Sequence, residues 1–273
     1  MRHCILIVSL IILGCAREPY QFANIDTYSL EYQISGKSKT CFALFEAGAG
    51  FDLETFDPIF SRISESCTAI RYSRVGQGRS STLSSELSAS NYAEIAKKLL
   101  DHLQIEQPVI FVGHSYGGII ARYFAEMFPE QTKALLLIDP GTKWESKIIA
   151  KIDPIAVEKE IKMLKDFGNS LAQERSRSDG LLNELRDLWL SYPLPDFAQI
   201  GDIKVTAIAS VQFMGDDFVL GSLEARQIRA NMLESWVYEF PRGRFVSTTK
   251  SGHFIHVEEP EFVIAEFKKL VSP

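Results

Sequence analysis

The sequence predicts one α/β domain built on a doubly wound, mostly parallel sheet. Apolar runs of strand length alternate with helical patterns along most of the chain, as βαβ units require. The chain has 273 residues, of which 46% are hydrophobic, so it can bury one large core. No internal repeat and no low-complexity segment interrupts the alternation.

The elements follow in order along the chain. Residues 28–34 alternate apolar and polar side chains and are expected to form an antiparallel edge strand that turns at residues 35–37. Apolar runs and helical patterns then alternate, which predicts strands at 41–45, 68–72, 108–112, 133–138, 203–211 and 244–249 and helices at 52–63, 91–103, 116–128 and 258–270.

The segment G-H-S-Y-G-G at residues 113–118 carries the strongest functional signal. It fits G-x-S-x-G and lies between an apolar run and a helical pattern, which is the context of a nucleophile elbow. Such a turn lifts a serine hydroxyl above the sheet, at the positive end of the next helix. Ser115 is therefore the candidate nucleophile, and an ordinary glycine-rich turn is the alternative.

A serine nucleophile needs a base, and the chain has five histidines. His253 follows the strand predicted at 244–249, in a loop at its carboxyl end, where such sheets carry chemistry. His256 is expected to be a loop or helix-start residue. The other three are assigned elsewhere: His3 to a targeting segment, His102 to a solvated helix face, and His114 to the elbow with its side chain directed away from the serine.

The small residues E-A-G-A-G at 46–50 form a candidate oxyanion loop between a buried strand and a helix. Small side chains leave backbone N–H groups open to a ligand. The expected donors are the N–H of Tyr116, directly after the nucleophile, and that of Gly48, with Ala49 as the next choice. A plain strand-to-helix turn is the alternative.

These segments together resemble the α/β-hydrolase fold family, over nearly all of the chain that follows the N-terminal segment. The family implies about eight strands, helices on both faces, and a helical cap inserted at 141–200. Two positions depart from its pattern: residues 46–47 read Glu-Ala where His-Gly is usual, and Ser73 stands where Asp is usual. The resemblance rests on residues 46–50, 72–80, 113–118, 135–140 and 251–254.

The resemblance leaves the triad acid open. The family most often carries it after the penultimate strand, where Asp216 and Asp217 arrive late, or at the end of the preceding strand, where Asp139 stands. We favour Asp139, with Asp216 as the alternative. A carboxylate that merely caps the loop entry is the other interpretation of Asp139.

Two cysteines, Cys41 and Cys67, begin strands that are parallel neighbours in this family. Strands in a sheet lie about 4.8 Å apart, inside the Cα range that a disulfide tolerates. The sequence leaves two alternatives open for this pair: a Cys41–Cys67 disulfide or two buried free thiols.

The N-terminus predicts export. A positively charged start followed by an apolar stretch at residues 4–13 fits a signal peptide. The apolar stretch is too short to span a bilayer. The stretch ends in Ile12-Leu13-Gly14-Cys15, which resembles a bacterial lipobox and implies cleavage after Gly14 and lipidation of Cys15. The expected domains are a signal peptide at 1–14, a tether at 15–25, a hydrolase core at 26–140 and 201–273, and a helical cap at 141–200.

We expect a serine hydrolase that acts on an ester, anchored to the bacterial cell envelope at the outer membrane or cell surface. Trp144, Met163, Phe167 and Trp189 are candidates for an apolar pocket beneath the cap. No metal or cofactor is expected, and a net charge of −6 disfavours nucleic acid as a partner. A non-catalytic, surface-anchored binding protein on a hydrolase scaffold is the alternative. The sequence leaves the oligomeric state open.

Overall fold

A computed structural model describes residues 19–142, 145–156, 178–190, 201–215 and 218–272, with a few helical residues between 158 and 166. The strands are β1 (Gln21–Ile25), β2 (Tyr28–Ser35), β3 (Phe42–Glu46), β4 (Thr68–Tyr72), β5 (Val109–His114), β6 (Thr132–Ile138), β7 (Lys204–Ser210) and β8 (Gly243–Thr248). They form one eight-stranded sheet in the order β1-β2-β4-β3-β5-β6-β7-β8. Strand β2 pairs antiparallel with β1 and β4, and all pairs among β3 to β8 are parallel.

Helices cover both faces of the sheet. The described helices are α1 (Asp57–Ile63), α2 (Ala89–His102), α3 (Tyr116–Met127), α4 (Glu145–Ile152), α5 (Ser178–Leu190), α6 (Leu223–Val237), α7 (Ile255–Glu258) and α8 (Pro260–Val271), with short 3-10 turns at Leu53–Phe56, Pro129–Gln131 and Val219–Gly221. One face packs against α2, α3 and α6 through a cluster that includes Tyr92, Phe124 and Trp236. The other face packs against α1 and α8 through Phe60 and Phe267.

The predicted fold class is therefore confirmed. The strand expected at 68–72 has those bounds, and the other predicted strands differ by one or two residues at one or both ends. The helix expected at 52–63 is a 3-10 turn followed by α1. Helix α6 has no counterpart among the predicted elements.

The predicted tether at 15–25 is wrong at its carboxyl end. Residues 21–25 form β1, which pairs antiparallel with β2 from Gln21 opposite Tyr32 to Ile25 opposite Tyr28. Ala23 and Ile25 are buried while Phe22 is exposed, so a two-residue alternation drives this strand into the core. Strand β1 therefore takes the edge position that was expected for residues 28–34.

Residues 1–18 lie outside the described part of the chain, and so do the predicted signal peptide and Cys15. Among the helices that the structure describes, none combines the length and the apolar character needed to cross a membrane. Helices α4 and α5 belong to the segment 141–200 that was expected to form a cap, and much of the rest of that segment is not described.

Candidate active site

The register of the parallel strands brings the predicted site residues to one edge of the sheet, the one at which the parallel strands have their carboxyl ends. His114 at the end of β5 lies opposite Ile138 at the end of β6, so Ser115 and Asp139 leave the sheet side by side. Strands β7 and β8 end level at Ser210 and Thr248. The loop after β8 brings His253 back over this edge.

Ser115 sits in a strained turn. Its φ of 51° and ψ of −119° are unusual for a residue with a side chain, and such backbone costs about 1–3 kcal/mol. Three backbone hydrogen bonds hold the turn: the Ser115 N–H donates to the Ile138 carbonyl at 3.1 Å, and the Ser115 carbonyl accepts from the N–H groups of Gly118 at 2.9 Å and Gly141 at 2.8 Å. The backbone geometry is that of a nucleophile elbow.

The elbow packs tightly against the loop at residues 46–50. A Cβ atom added to Gly117 would lie 2.2 Å from the Glu46 carbonyl oxygen, so only glycine allows this approach. A Cβ atom on Gly48 would lie 3.3 Å from the Ser115 Cβ atom. The loop predicted to donate to an oxyanion therefore lies against the serine. The other predicted donor, the N–H of Tyr116, is in the first residue of α3.

His253 and Asp139 form a direct pair. The Nδ1 atom of His253 lies 2.6 Å from Oδ2 of Asp139. Because an ionised carboxylate only accepts hydrogen bonds, Nδ1 carries the proton, and Nε2 is left as the acceptor that a general base requires. Asp139 is fully buried, whereas the His253 side chain is 28% exposed and can be reached by a reactant.

Two buried arginines of α6 hold the same carboxylate. Arg226 Nη2 donates to Oδ2 of Asp139 at 2.8 Å, and Arg229 Nη1 donates to Oδ1 at 2.7 Å. The Ser210 N–H donates to Oδ1 at 3.1 Å. Burial opposes ionisation of Asp139, but Arg229, Arg226 and the hydrogen bond with His253 outweigh it, so the pKa of Asp139 lies well below its usual range. Asp139 therefore stays charged.

The sequence did not reveal these arginines as site residues. Their spacing of three residues, which puts both on one face of a helix, is the signal that was available.

Two buried histidines, His114 and His256, lie beside the His253 loop. His114 Nε2 lies 2.9 Å from the carbonyl oxygen of His253, and the two rings are 4.6 Å apart between centroids. His256 Nε2 lies 3.1 Å from Thr55 Oγ1. Burial lowers the pKa of His256 to about 3 and that of His114 well below its usual range, with neighbouring histidines adding to the shift. Both rings are therefore neutral and pack around the His253 loop.

Comparison with known proteins agrees with this geometry. The model of the alpha/beta hydrolase family matches residues 43–266, which is most of the chain. The chain belongs to the alpha/beta hydrolase family.

The relatives of this alpha/beta hydrolase are distant. An uncharacterized protein of Mycobacterium tuberculosis is 30% identical over 44% of the chain, which spans only 35% of that relative's length. A poly(3-hydroxyalkanoate) depolymerase of Ectopseudomonas oleovorans is 30% identical over 44% of the chain and 43% of its own length. A solved thermophilic esterase of Thermogutta terrifontis has a TM-score of 0.63 at 16% identity, covering 93% of this chain and 97% of its own. The relatives at low identity include a putative esterase/lipase of Haemophilus influenzae.

A carboxylate from another strand lies beside Ser73, the position at which the family usually has aspartate. The Ser73 hydroxyl donates to Oε2 of Glu31 at 2.9 Å, and the Arg79 N–H donates to the same oxygen at 2.9 Å. Glu31 is buried on the neighbouring strand β2. The carboxylate that the family usually carries at position 73 is thus supplied by another strand.

The remaining predicted residues are distributed as follows. Cys41 and Cys67 are joined in a disulfide with a Cα–Cα distance of 4.7 Å, just before the parallel strands β3 and β4. Met163 is half-buried. The predictions that fall outside the described residues or side chains concern Asp216, Asp217, Trp144, Phe167 and Trp189.

Proposed function

We propose that this alpha/beta hydrolase is a carboxylesterase that cleaves small or medium acyl esters through an acyl-enzyme intermediate. The 2.6 Å contact between His253 and Asp139, at the sheet edge where Ser115 occupies its strained turn, carries the proposal. A serine at the elbow argues against dehalogenase and epoxide hydrolase chemistry, which uses Asp at that position. Lactones, thioesters and amides undergo the same acyl transfer.

In the proposed reaction, Ser115 Oγ attacks the ester carbonyl carbon while His253 Nε2 accepts its proton. Asp139 stabilises the resulting imidazolium and keeps the ring oriented. The N–H groups of Tyr116 and Gly48 bind the oxyanion, and one such donor is worth about 3 kcal/mol. His253 then gives its proton to the departing alcohol. Water, activated by His253, releases the acid and restores Ser115.

The proposal is tested with p-nitrophenyl esters of graded acyl length and with a fluorophosphonate probe. The wild-type chain should turn over short or medium esters and should take the label, because the base keeps Ser115 nucleophilic. The Ser115→Ala variant should do neither, while its circular dichroism and melting temperature stay close to wild type. A wild-type protein that neither reacts with the probe nor cleaves any ester, thioester or amide would refute the proposal in favour of a non-catalytic binding protein.

We also propose that the chain is exported and anchored to the cell envelope through a lipid on Cys15. The support is the apolar stretch at residues 4–13 followed by the lipobox-like Ile12-Leu13-Gly14-Cys15. Two or three acyl chains anchor stably where one does not. The native N-terminus is examined by mass spectrometry, and Cys15→Ser should abolish the membrane fraction or block processing. An unmodified N-terminus elsewhere would exclude this anchor.

A further inference from the structure

Arg74 is the centre of a buried polar cluster beneath the loop at residues 46–50. Its guanidinium donates to two carboxylates, Glu46 Oε1 at 2.6 Å and Glu184 Oε1 at 2.8 Å. It also donates to two backbone carbonyls, those of Ala47 at 2.7 Å and Gly48 at 2.7 Å. Arg74 and both glutamates are at most 1% exposed. The proposed acyl transfer gives this cluster no direct part.

The two carbonyl contacts fix the direction of the neighbouring N–H groups. The Ala47 carbonyl shares a peptide plane with the Gly48 N–H, and the Gly48 carbonyl shares one with the Ala49 N–H. In a planar trans peptide the C=O and N–H bonds point in opposite directions. Because Arg74 holds both carbonyls on its own side, the N–H groups of Gly48 and Ala49 face away from it. Gly48 is the loop donor that the sequence predicted for the oxyanion, and Ala49 is its alternative.

Helix α5 braces the cluster from the other side. The second oxygen of Glu184 accepts from the Gly50 N–H at 2.7 Å and from Gln77 Nε2 at 3.2 Å. One turn further along α5, Asp187 Oδ2 accepts from the hydroxyl of Tyr116 at 2.7 Å. A single helix therefore holds the loop at Gly50, the guanidinium that orients it, and the side chain of the residue after the nucleophile.

We propose that Arg74 is a positioning residue for the oxyanion donors of the loop and that Glu184 couples this positioning to helix α5. The inference rests on the proposed function, since it concerns the same oxyanion. Oxyanion donors act because they are oriented before charge develops on the substrate. Loss of the Arg74 contacts therefore affects the tetrahedral intermediate more than the bound ester.

The conservative variant Arg74→Lys separates charge from geometry. An ammonium group keeps the positive charge but donates from a single nitrogen, so it cannot serve four acceptors on different sides. Arg71 offers a matched control. It is also buried, three residues earlier in β4, and donates to Gln33 Oε1, Leu53 O and Asp57 Oδ1 rather than to the loop.

Steady-state ester hydrolysis by the full chain, with a trifluoromethyl ketone as inhibitor, tests the proposal. Ser115 Oγ adds to the ketone carbonyl carbon and its proton passes to His253, which leaves an oxyanion in the hole. For Arg74→Lys we expect kcat to fall about 100-fold, KM to stay within about threefold, and the inhibition constant of the ketone to rise in parallel with the loss of kcat. Glu184→Gln should show the same pattern in weaker form, and Arg71→Lys should keep kcat within about threefold.

A folded Arg74→Lys protein with wild-type kcat and ketone affinity would overturn the inference, as would an equal loss in Arg71→Lys. If Arg74→Lys does not fold, Glu184→Gln decides by the same criterion, because glutamine retains an oxygen acceptor at that position. A wild-type chain without esterase activity or probe labelling would remove the proposed function and this inference with it. An active wild type with unaffected variants removes the inference alone.

Discussion

Replacing Glu46 by glutamine should change how the stability of the protein depends on pH. The Glu46 side chain is fully buried, with one oxygen bonded to Arg74 and the other to the hydroxyl of Tyr72. Burial raises the pKa of Glu46 from its usual 4.5 to about 7, although Arg74 and the hydrogen bonds favour the charged form. Glutamine has nearly the same shape and does not titrate.

The expected size of the change in the free energy of unfolding follows from that difference in pKa. The native state binds the Glu46 proton more tightly than the unfolded chain does. The resulting stabilisation is fully present below pH 4.5 and is lost as the pH rises to about 7. About 1.4 kcal/mol per pKa unit gives about 3 kcal/mol in all, of which about 2–3 kcal/mol lies between about pH 5 and about pH 8.

Urea unfolding of wild type and Glu46→Gln at about pH 5 and about pH 8 measures the effect. Relative to wild type, the free energy of unfolding of the variant should rise by about 2–3 kcal/mol between the lower and the higher pH. The buried histidines His114 and His256 have lowered pKa values, so the folded protein becomes less stable as the pH falls below 6.5. This loss is the same in both proteins and cancels in the difference between their free energies of unfolding. A pH-independent difference would refute the reasoning.

A matched control is Glu266→Gln. Glu266 is also a buried carboxylate, but despite its burial the hydrogen bonds from Arg244 and Lys269 lower its pKa. Its pH-dependent contribution therefore lies below pH 4.5, and the difference between this variant and wild type should stay flat from about pH 5 to about pH 8.

Three further predictions follow from the site and the disulfide. Asp139→Asn should lower kcat by about 10⁴-fold in the ester assay, because the His253 tautomer is no longer fixed, whereas Asp216→Asn should keep kcat near wild type. The reverse outcome would identify Asp216 as the acid. His253→Ala should lose most activity, and His256→Ala should keep most of it at a lower melting temperature, since the His256 ring packs in the core and contacts Thr55 rather than Asp139. Alkylation of the oxidised, denatured protein should leave Cys67 unmodified, and a modified Cys67 would exclude the disulfide.

Most of the sheet could be predicted because strands β3 to β7 are largely buried on both faces and appear as apolar runs. Strand β4 has the predicted bounds for this reason. The sharp turn at Ser115 could also be predicted, since small residues flank one serine between a strand and a helix. The pairing of His253 with Asp139 could not be fixed from sequence, because three carboxylates satisfied the same order along the chain and only the fold selects among them.

The elements that sequence reasoning missed lack a clear apolar pattern, for different reasons. Helix α6 buries Arg226 and Arg229 against Asp139, so its inward face does not show the apolar period that marks a helix. Strand β1 has only five residues, and three of them are exposed. Glu184 is fully buried on α5, although glutamate in a helix normally indicates a solvated face.

The two departures from the family pattern have one physical explanation. Ser73 lacks the usual carboxylate, and Glu31 on β2 places one beside it, where it accepts from the Ser73 hydroxyl and the Arg79 N–H. Glu46 stands where histidine is usual, and Arg74 compensates its charge while also holding the Ala47 carbonyl. A buried loop needs its polar groups paired, and it does not matter which strand provides the partner. In both departures the side chain that differs from the family pattern has a hydrogen-bonded partner.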